Sequence, residues 1–294
     1  MTRDPRQDHG SPAKGTPDHP DTTPSAVGGR RSAVGRRATR HLALLVALLL
    51  TVAAIPAAAQ AQNLVEVGAS ADAFTGGFAD GRGLYARTEI VRPVGVWRAE
   101  WGVRERFGEA GTVFGVGHQR ELGHGAFASV SVGSSAGSRF ESRVRAGAEV
   151  GARWGPSRRL VTTAGVWYYA AADEHRDVAV TAEAALYPAP GVVLQAGGRF
   201  TRSAPGPVWT PYGYAAVTLG RPGRASFALR AATGREGYLL AAPTPLEVDF
   251  SSYEVSATWR QPIGPRYGVQ VRASHYGNPA YQRTGAELGV FARF

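Results

Sequence analysis

The stretch Tyr253-Glu254-Val255-Ser256-Ala257-Thr258-Trp259-Arg260 alternates without a break. Tyr253, Val255, Ala257 and Trp259 fall on one side, and Glu254, Ser256, Thr258 and Arg260 on the other. Successive side chains of an extended chain point to opposite faces, so this period marks a strand with one apolar and one polar surface. The pattern recurs upstream. Trp97, Ala99, Trp101 and Val103 oppose Arg98, Glu100, Gly102 and Arg104. Val144, Ala146, Ala148, Val150, Ala152 and Trp154 oppose Arg143, Arg145, Gly147, Glu149, Gly151 and Arg153. From Leu64 onward no segment sustains a helical period, and Gly, Pro, Asp and Asn separate the alternating runs.

A soluble sandwich alternates too, with its apolar face inward. Three features favour a membrane barrel. The runs reach about ten residues, the length a tilted strand needs to cross the hydrocarbon, whereas soluble strands average about five or six. Trp97, Trp154, Tyr187, Trp209, Tyr253, Trp259 and Tyr267 stand near the ends of runs, where an interfacial girdle belongs. The apolar faces are mostly Ala, Val and Leu, while the polar faces carry arginine and glutamate. No water hydrates the backbone inside lipid, so such a sheet must close on itself.

The breaks form two alternating classes. Short turns are expected near Pro93-Val94-Gly95, Gly123-His124-Gly125, Gly155-Pro156, Pro188 to Gly191, Arg221 to Arg224 and Pro262 to Pro265. Longer loops are expected near Gly76 to Arg82, Gly108 to Gly111, Ser134 to Ser138, Ala172 to Arg176, Ser203 to Trp209, Gly234 to Asp249 and Gly277 to Tyr281. These breaks predict an all-β, antiparallel up-and-down transmembrane barrel of fourteen strands, or twelve if the weaker runs Thr112–Arg120 and Thr210–Leu219 are miscounted. An even count puts both termini on the periplasmic side.

Ahead of the barrel, residues 1 to 29 are rich in Pro, Gly, Asp and Thr. Arg30, Arg31, Arg36, Arg37 and Arg40 then precede the apolar run Leu42 to Ile55, which ends in Pro56-Ala57-Ala58-Ala59-Gln60-Ala61-Gln62. The run is shorter than the roughly 20 residues of a spanning helix. A basic region, a short apolar core and small residues read as a signal peptide cleaved after Ala59 or Ala61; an uncleaved anchor is the alternative. Residues 1–59 are therefore the removed extension and 60–294 the barrel.

The net charge of +10 does not mark a nucleic-acid protein. Eight basic and four acidic residues lie in the first 59, leaving +6 interspersed along the rest, with no polybasic block. The absence of cysteine excludes a disulfide framework, a thiolate zinc site and a lipid-modified N-terminal cysteine.

The chain ends in Glu287-Leu288-Gly289-Val290-Phe291-Ala292-Arg293-Phe294. With Glu287, Gly289 and the terminal Phe294 at their places, this resembles the C-terminal assembly signal of bacterial outer-membrane proteins. The resemblance implies recognition by the barrel-assembly machinery, and outer-membrane lipid and lipopolysaccharide as surroundings. Val166-Trp167-Tyr168-Tyr169, Leu186-Tyr187-Pro188 and the final strands resemble the YaiO family of outer-membrane barrels, over about the C-terminal half. Members of that family are barrels without a settled activity.

Facing assigns Arg87, Arg98, Arg104, Arg143, Arg145, Arg153, Arg199, Arg230, Arg260, Arg272, Arg283 and Arg293 to the lumen. The inward acids are Glu66, Asp72, Glu89, Glu100, Glu149, Glu183, Glu254 and Glu287. Twelve against eight predicts an electropositive lumen, and hence a structural or passive solute-conducting barrel favouring small anions or glycans. The plainer reading is a lumen filled by interlocked Arg–Glu pairs. The rival class is a membrane-embedded hydrolase, a lipase or protease. Its candidates would be His118, His124, His175 and His275, but no serine or carboxylate stands at diagnostic spacing from them. Asp173-Glu174-His175 could hold a divalent cation weakly, although a solvated loop accounts for it better. No catalytic residue, metal site or cofactor is assigned.

Overall fold

The computed structural model describes residues 63–171, 174–221, 223–238 and 248–294. The leader with its cleavage sites, Asp173, and most of the connection between Gly234 and Asp249 lie outside the described residues. Fourteen strands follow one another along the chain: β1 (Leu64–Phe74), β2 (Gly81–Arg92), β3 (Gly95–Arg106), β4 (Glu109–Gly123), β5 (Ala126–Ala136), β6 (Val144–Trp154) and β7 (Leu160–Ala170). They continue as β8 (Arg176–Ala189), β9 (Val192–Ala204), β10 (Val208–Gly220), β11 (Ser226–Tyr238), β12 (Val248–Ile263), β13 (Tyr267–Gly277) and β14 (Gln282–Arg293). Each pairs antiparallel with the next, and β14 returns to β1 from Leu64↔Arg293 to Phe74↔Arg283, closing the barrel. The runs that looked weak are the full strands β4 and β10, so the count is fourteen. Asn63 and Phe294 exchange backbone hydrogen bonds of 3.2 Å beyond the last registered pair, so both ends of the barrel meet at one rim.

Turn chemistry follows from local sequence. Phe107 and Gly108 both have positive φ (54° and 78°), as do His124 and Gly125 (51° and 84°). Two central residues of that kind make the hairpin turn whose twist matches the strands. The strand bounds leave two to five residues in connections at the terminal rim and two to nine at the opposite rim. The expected contrast between short turns and long loops therefore holds only in part, since Phe107-Gly108 is as tight as any turn at the other end.

The register carries one face around the wall. Glu66 stands opposite Arg87, Arg87 opposite Glu100, Glu100 opposite Gly115, and so on through Gly133 and Arg145 to Tyr169. That row faces inward. The other row is apolar and open: Val150 is 60% exposed and Leu288 61%, whereas Glu66 is 3% exposed. Burying carboxylates while exposing valine and leucine reverses the order of a soluble fold, and lipid is the solvent that stabilises it. Trp97, Trp154, Trp259 and Tyr267 ring the outside near the terminal rim, and Trp209 and Tyr253 ring it near the other; Tyr187, also expected in the girdle, shares the parity of inward Glu183 at the irregular end of β8.

One inward assignment is corrected. Arg143 precedes β6 and is exposed in the β5–β6 connection, where its carbonyl accepts bonds from Ser134 Oγ at 2.8 Å and Ser135 N at 3.3 Å. Those bonds hold Arg143 just ahead of the first paired residue of β6.

Candidate functional site

Among the described residues the lumen is the enclosed polar surface that the fold builds, and its charge differs from the expected surplus. Every other assigned inward residue faces inward, including Arg98, Glu100, Arg104, Arg145, Glu149, Arg199, Arg230, Glu254, Arg260 and Arg272. Register adds Arg106, and on the acidic side Glu109, Glu121, Asp177 and Glu236. Removing Arg143 and adding Arg106 keeps twelve arginines; eight acids plus four make twelve. The formal surplus disappears. These added residues sit near strand ends, where sequence alternation is interrupted and parity is hardest to carry.

Across β12, β13, β14, β1, β2 and β3 the charges interlock. Glu66 accepts from Arg260 at 2.7 Å, Gln270 at 3.0 Å and Tyr85 at 3.1 Å, with Arg87 at 3.7 Å. Glu254 lies 3.4 Å from both Arg272 and Arg283, and Glu287 lies 4.0 Å from both Arg87 and Arg272. Arg106 binds Asp72 at 2.8 Å, and Arg98 binds Glu89 at 2.9 Å. Arg145 reaches from β6 to Glu100 on β3 by lying across Gly133 and Gly115; a Cβ at Gly115 would stand 2.6 Å from its guanidinium.

A second pattern was not read from sequence. Inward aromatic rings lie flat on a glycine directly opposite in register. The pairs are Tyr85 on Gly68, Phe127 on Gly151, Trp167 on Gly147, Tyr214 on Gly197, Tyr212 on Gly234 and Phe291 on Gly268. An arginine covers the far side of most of these rings: Arg87 at 4.3 Å from the Tyr85 centroid, Arg153 at 4.8 Å over Phe127, Arg199 at 5.4 Å over Tyr212, Arg230 at 4.3 Å over Tyr214 and Arg260 at 4.3 Å over Phe291. Cation–π attraction thus holds guanidiniums that the sequence seemed to pair with carboxylates alone. The signal was available, because glycine and aromatic residues share the inward parity.

The rim opposite the termini carries two further clusters. Phe74, Phe78, Phe107, Phe140, Tyr276 and Tyr281 pack largely edge to face, with centroids 4.9 to 6.1 Å apart, over that end of the lumen. Burial in this cluster pushes the Tyr281 phenol above its ordinary range. Beneath it is a cavity of about 210 Å³ bounded by Arg87, Arg104, Arg106, Arg272 and Arg283 against Asp72, Glu254 and Glu287. Arg283 Nε is buried there without a hydrogen-bond partner.

Farther round the rim, His175 Nε2 stands 3.1 Å from Asp177 Oδ1, and Ser203 is turned to the same carboxylate. Asp177 thus lies between histidine and serine. A nucleophilic relay needs the histidine in the middle. His118 stacks on Trp97 and His275 bonds Thr284, both on the lipid-facing side. His124 occupies a turn.

Glu287 and Gly289 of the C-terminal signal face the lumen, and a Cβ at Gly289 would stand 2.6 Å from the Tyr85 hydroxyl. Phe294 ends the strand beside Asn63.

Among solved structures, the fold is similar to the CymD monoaromatic hydrocarbon channel, with a TM-score of 0.55 at 5% identity over 80% of this chain and 89% of that one. It is similar to a bacterial polysaccharide outer membrane secretin, with a TM-score of 0.52 at 10% identity over 81% of this chain and 100% of that one. An anion-selective porin from Comamonas acidovorans matches with a TM-score of 0.46 at 9% identity over 79% and 99%. At such identities the likeness is one of fold alone. A search of curated proteins returned no match. The protein is a closed β-barrel of the bacterial outer membrane. The family match spans β1 to β11, so it includes Val166–Tyr169 and Leu186–Pro188 but not the final strands, where the sequence resemblance had also been placed. Over residues 62–239, which is 178 of 294, the chain matches the YaiO membrane beta barrel domain, and it belongs to that family.

Proposed function

We propose that the barrel is a passive route for small polar solutes, with anions held transiently in the arginine-rich cavity beneath one mouth. The carrying observation is that cavity, where five arginines face three carboxylates in a lumen whose formal charges balance only when taken as a whole. A ring of guanidiniums attracts anions, and the excess of acids over arginines elsewhere in the lumen keeps binding weak enough for release. The even strand count supports termini on the periplasmic side, with the aromatic mouth outside, next to lipopolysaccharide. Assembly machinery would read the strand ending in Phe294. The competing hydrolase reading would rest on His175 and Asp177, and the order of the groups there disfavours it.

Conductance of the refolded protein in planar bilayers tests the proposal. Arg272→Gln is the informative variant, because Glu254 keeps Arg283 and Glu287 keeps Arg87 when it is removed. Wild type should give a reversal potential on the anion side of zero in a salt gradient, and the variant should move it toward zero while conductance persists. A cation-selective wild type, or a closed barrel, would sink the proposal. Lipid or peptide turnover abolished by His175→Ala would favour the hydrolase instead.

A further inference from the structure

Five inward rings seated on glycine are covered by an arginine, and a sixth is not. Trp167 lies flat against Gly147, where a Cβ would overlap the indole. Among the described residues no guanidinium lies over its other face; the arginine–ring contacts involve other rings. Tyr169 lies beside it, 6.3 Å away and inclined by only 13°, extending the flat surface along β7. Trp167 is also the only inward tryptophan of six: Trp97, Trp101, Trp154, Trp209 and Trp259 share the lipid-facing parity.

The open face borders a chamber of about 550 Å³. From Trp167 the register runs through Gly147, Ser131 and Gly117 to Arg98, so small side chains recess the wall across β4 and β5, about 10 Å at ordinary strand spacing. Four arginines and four glutamates line the chamber, including the Arg98–Glu89 pair and the Arg145–Glu100 bridge. Their charges cancel, which removes the reason for an anion to settle here. What remains is a flat apolar surface bordered by fixed donors and acceptors. A ligand matching it is apolar on its ring face and rich in hydroxyls at its edge.

We propose that this chamber binds a neutral saccharide, one pyranose ring stacking on Trp167 while its hydroxyls meet Ser131, Arg98 and Glu149. The site differs from the anion cavity under the mouth and does not depend on conduction. Refolded protein in detergent should bind maltotriose or cellotriose saturably, read by calorimetry and by tryptophan fluorescence. Trp167→Ala should weaken binding by about tenfold or more, within what loss of an aromatic stack removes. Trp167→Tyr should restore most of it.

Gly117→Val should weaken binding equally by filling the recess. A Cβ there meets nothing closer than 3.4 Å, so the wall itself should tolerate it. Trp101→Ala, on the lipid face, should leave binding unchanged. Heat-modifiable gel mobility confirms that each variant is folded. Absence of saturable binding by either trisaccharide overturns the proposal, as does equal affinity in folded Trp167→Ala. Saturable binding of a galacturonate trimer alone would also overturn it, by returning the chamber to the anion chemistry of the mouth.

Discussion

The two sides of the lumen handle polarity differently. The six strands from β12 through β14 and β1 to β3 carry eight inward arginines and six inward acids, whereas the five strands from β7 to β11 carry two and three. On the first wall nearly every charge is bound to another charge. On the second, acids bind hydroxyls and amides, as Glu183 binds Tyr214 and Gln195, and Arg199 and Arg230 lie over tyrosines. The first wall holds the β1–β14 seam, where no covalent turn joins the strands. Cross-strand ion pairs there do what hairpins do elsewhere. The second wall, whose strands follow one another through turns, needs no such reinforcement.

The largest expected effect breaks the first wall. Glu66→Ala should leave Arg260, Gln270 and Tyr85 without their shared acceptor, at a cost of about 3–5 kcal/mol and toward the lower figure because Arg260 stays 30% exposed. Glu183→Ala on the second wall should cost about 1 kcal/mol, since its partners can turn to lumen water. Urea unfolding in lipid vesicles compares them. Equal losses would mean that the seam is no more dependent on charge than the rest of the barrel.

A lipid-versus-lumen pair sharpens the same contrast. Ala164→Arg places a cation in hydrocarbon near the middle of β7, costing about 2–4 kcal/mol. Thr163→Arg, one residue earlier, enters the lumen directly opposite Glu183 and should refold with nearly wild-type yield. Similar refolding yields, scored by gel mobility, would mean that the second wall is packed rather than hydrated.

The strand count, closure and facing were legible because period-two alternation survives wherever a strand has two different solvents. Tyr253 to Arg260 shows both sides in eight residues. Arg143 lies ahead of its strand rather than in the wall, and inward residues were missed at Arg106, Glu109, Glu121, Asp177 and Glu236. There the pattern meets a turn or rim, and parity has no long run to anchor it. The charge surplus followed those errors. The family resemblance was correct and so was its place at Val166–Tyr169 and Leu186–Pro188, but the final strands lie outside the match, since short aromatic signals do not fix where a family's likeness ends. Nothing in a linear reading showed that glycine at one position seats a ring some twenty residues away, because the register across the β6–β7 turn decides it.

That dependence on register gives the smallest effect and the cleanest one. Gly197 and Gly198 are adjacent on β9, in the same backbone, with no turn between them. At Gly197 a Cβ would stand 2.8 Å from the Tyr214 ring and 3.0 Å from the Ala182 carbonyl, inside the lumen-facing seat. At Gly198 the nearest atom would be the Tyr212 carbonyl at 3.4 Å, an ordinary contact on the lipid side. Gly197→Ala should therefore lift Tyr214 from the wall, loosening its bond to Glu183 and its contact with Arg230, and cost about 1–3 kcal/mol as overpacking does. Gly198→Ala should be neutral or stabilise by about 0.4–1 kcal/mol, because alanine restricts the unfolded chain and nothing in the fold resists it. Strand propensity and membrane depth are the same for both, so only facing can separate them. If parallel unfolding curves in vesicles show equal midpoints, glycine in this lumen is tolerance rather than a seat, and the account of the second wall loses its structural basis.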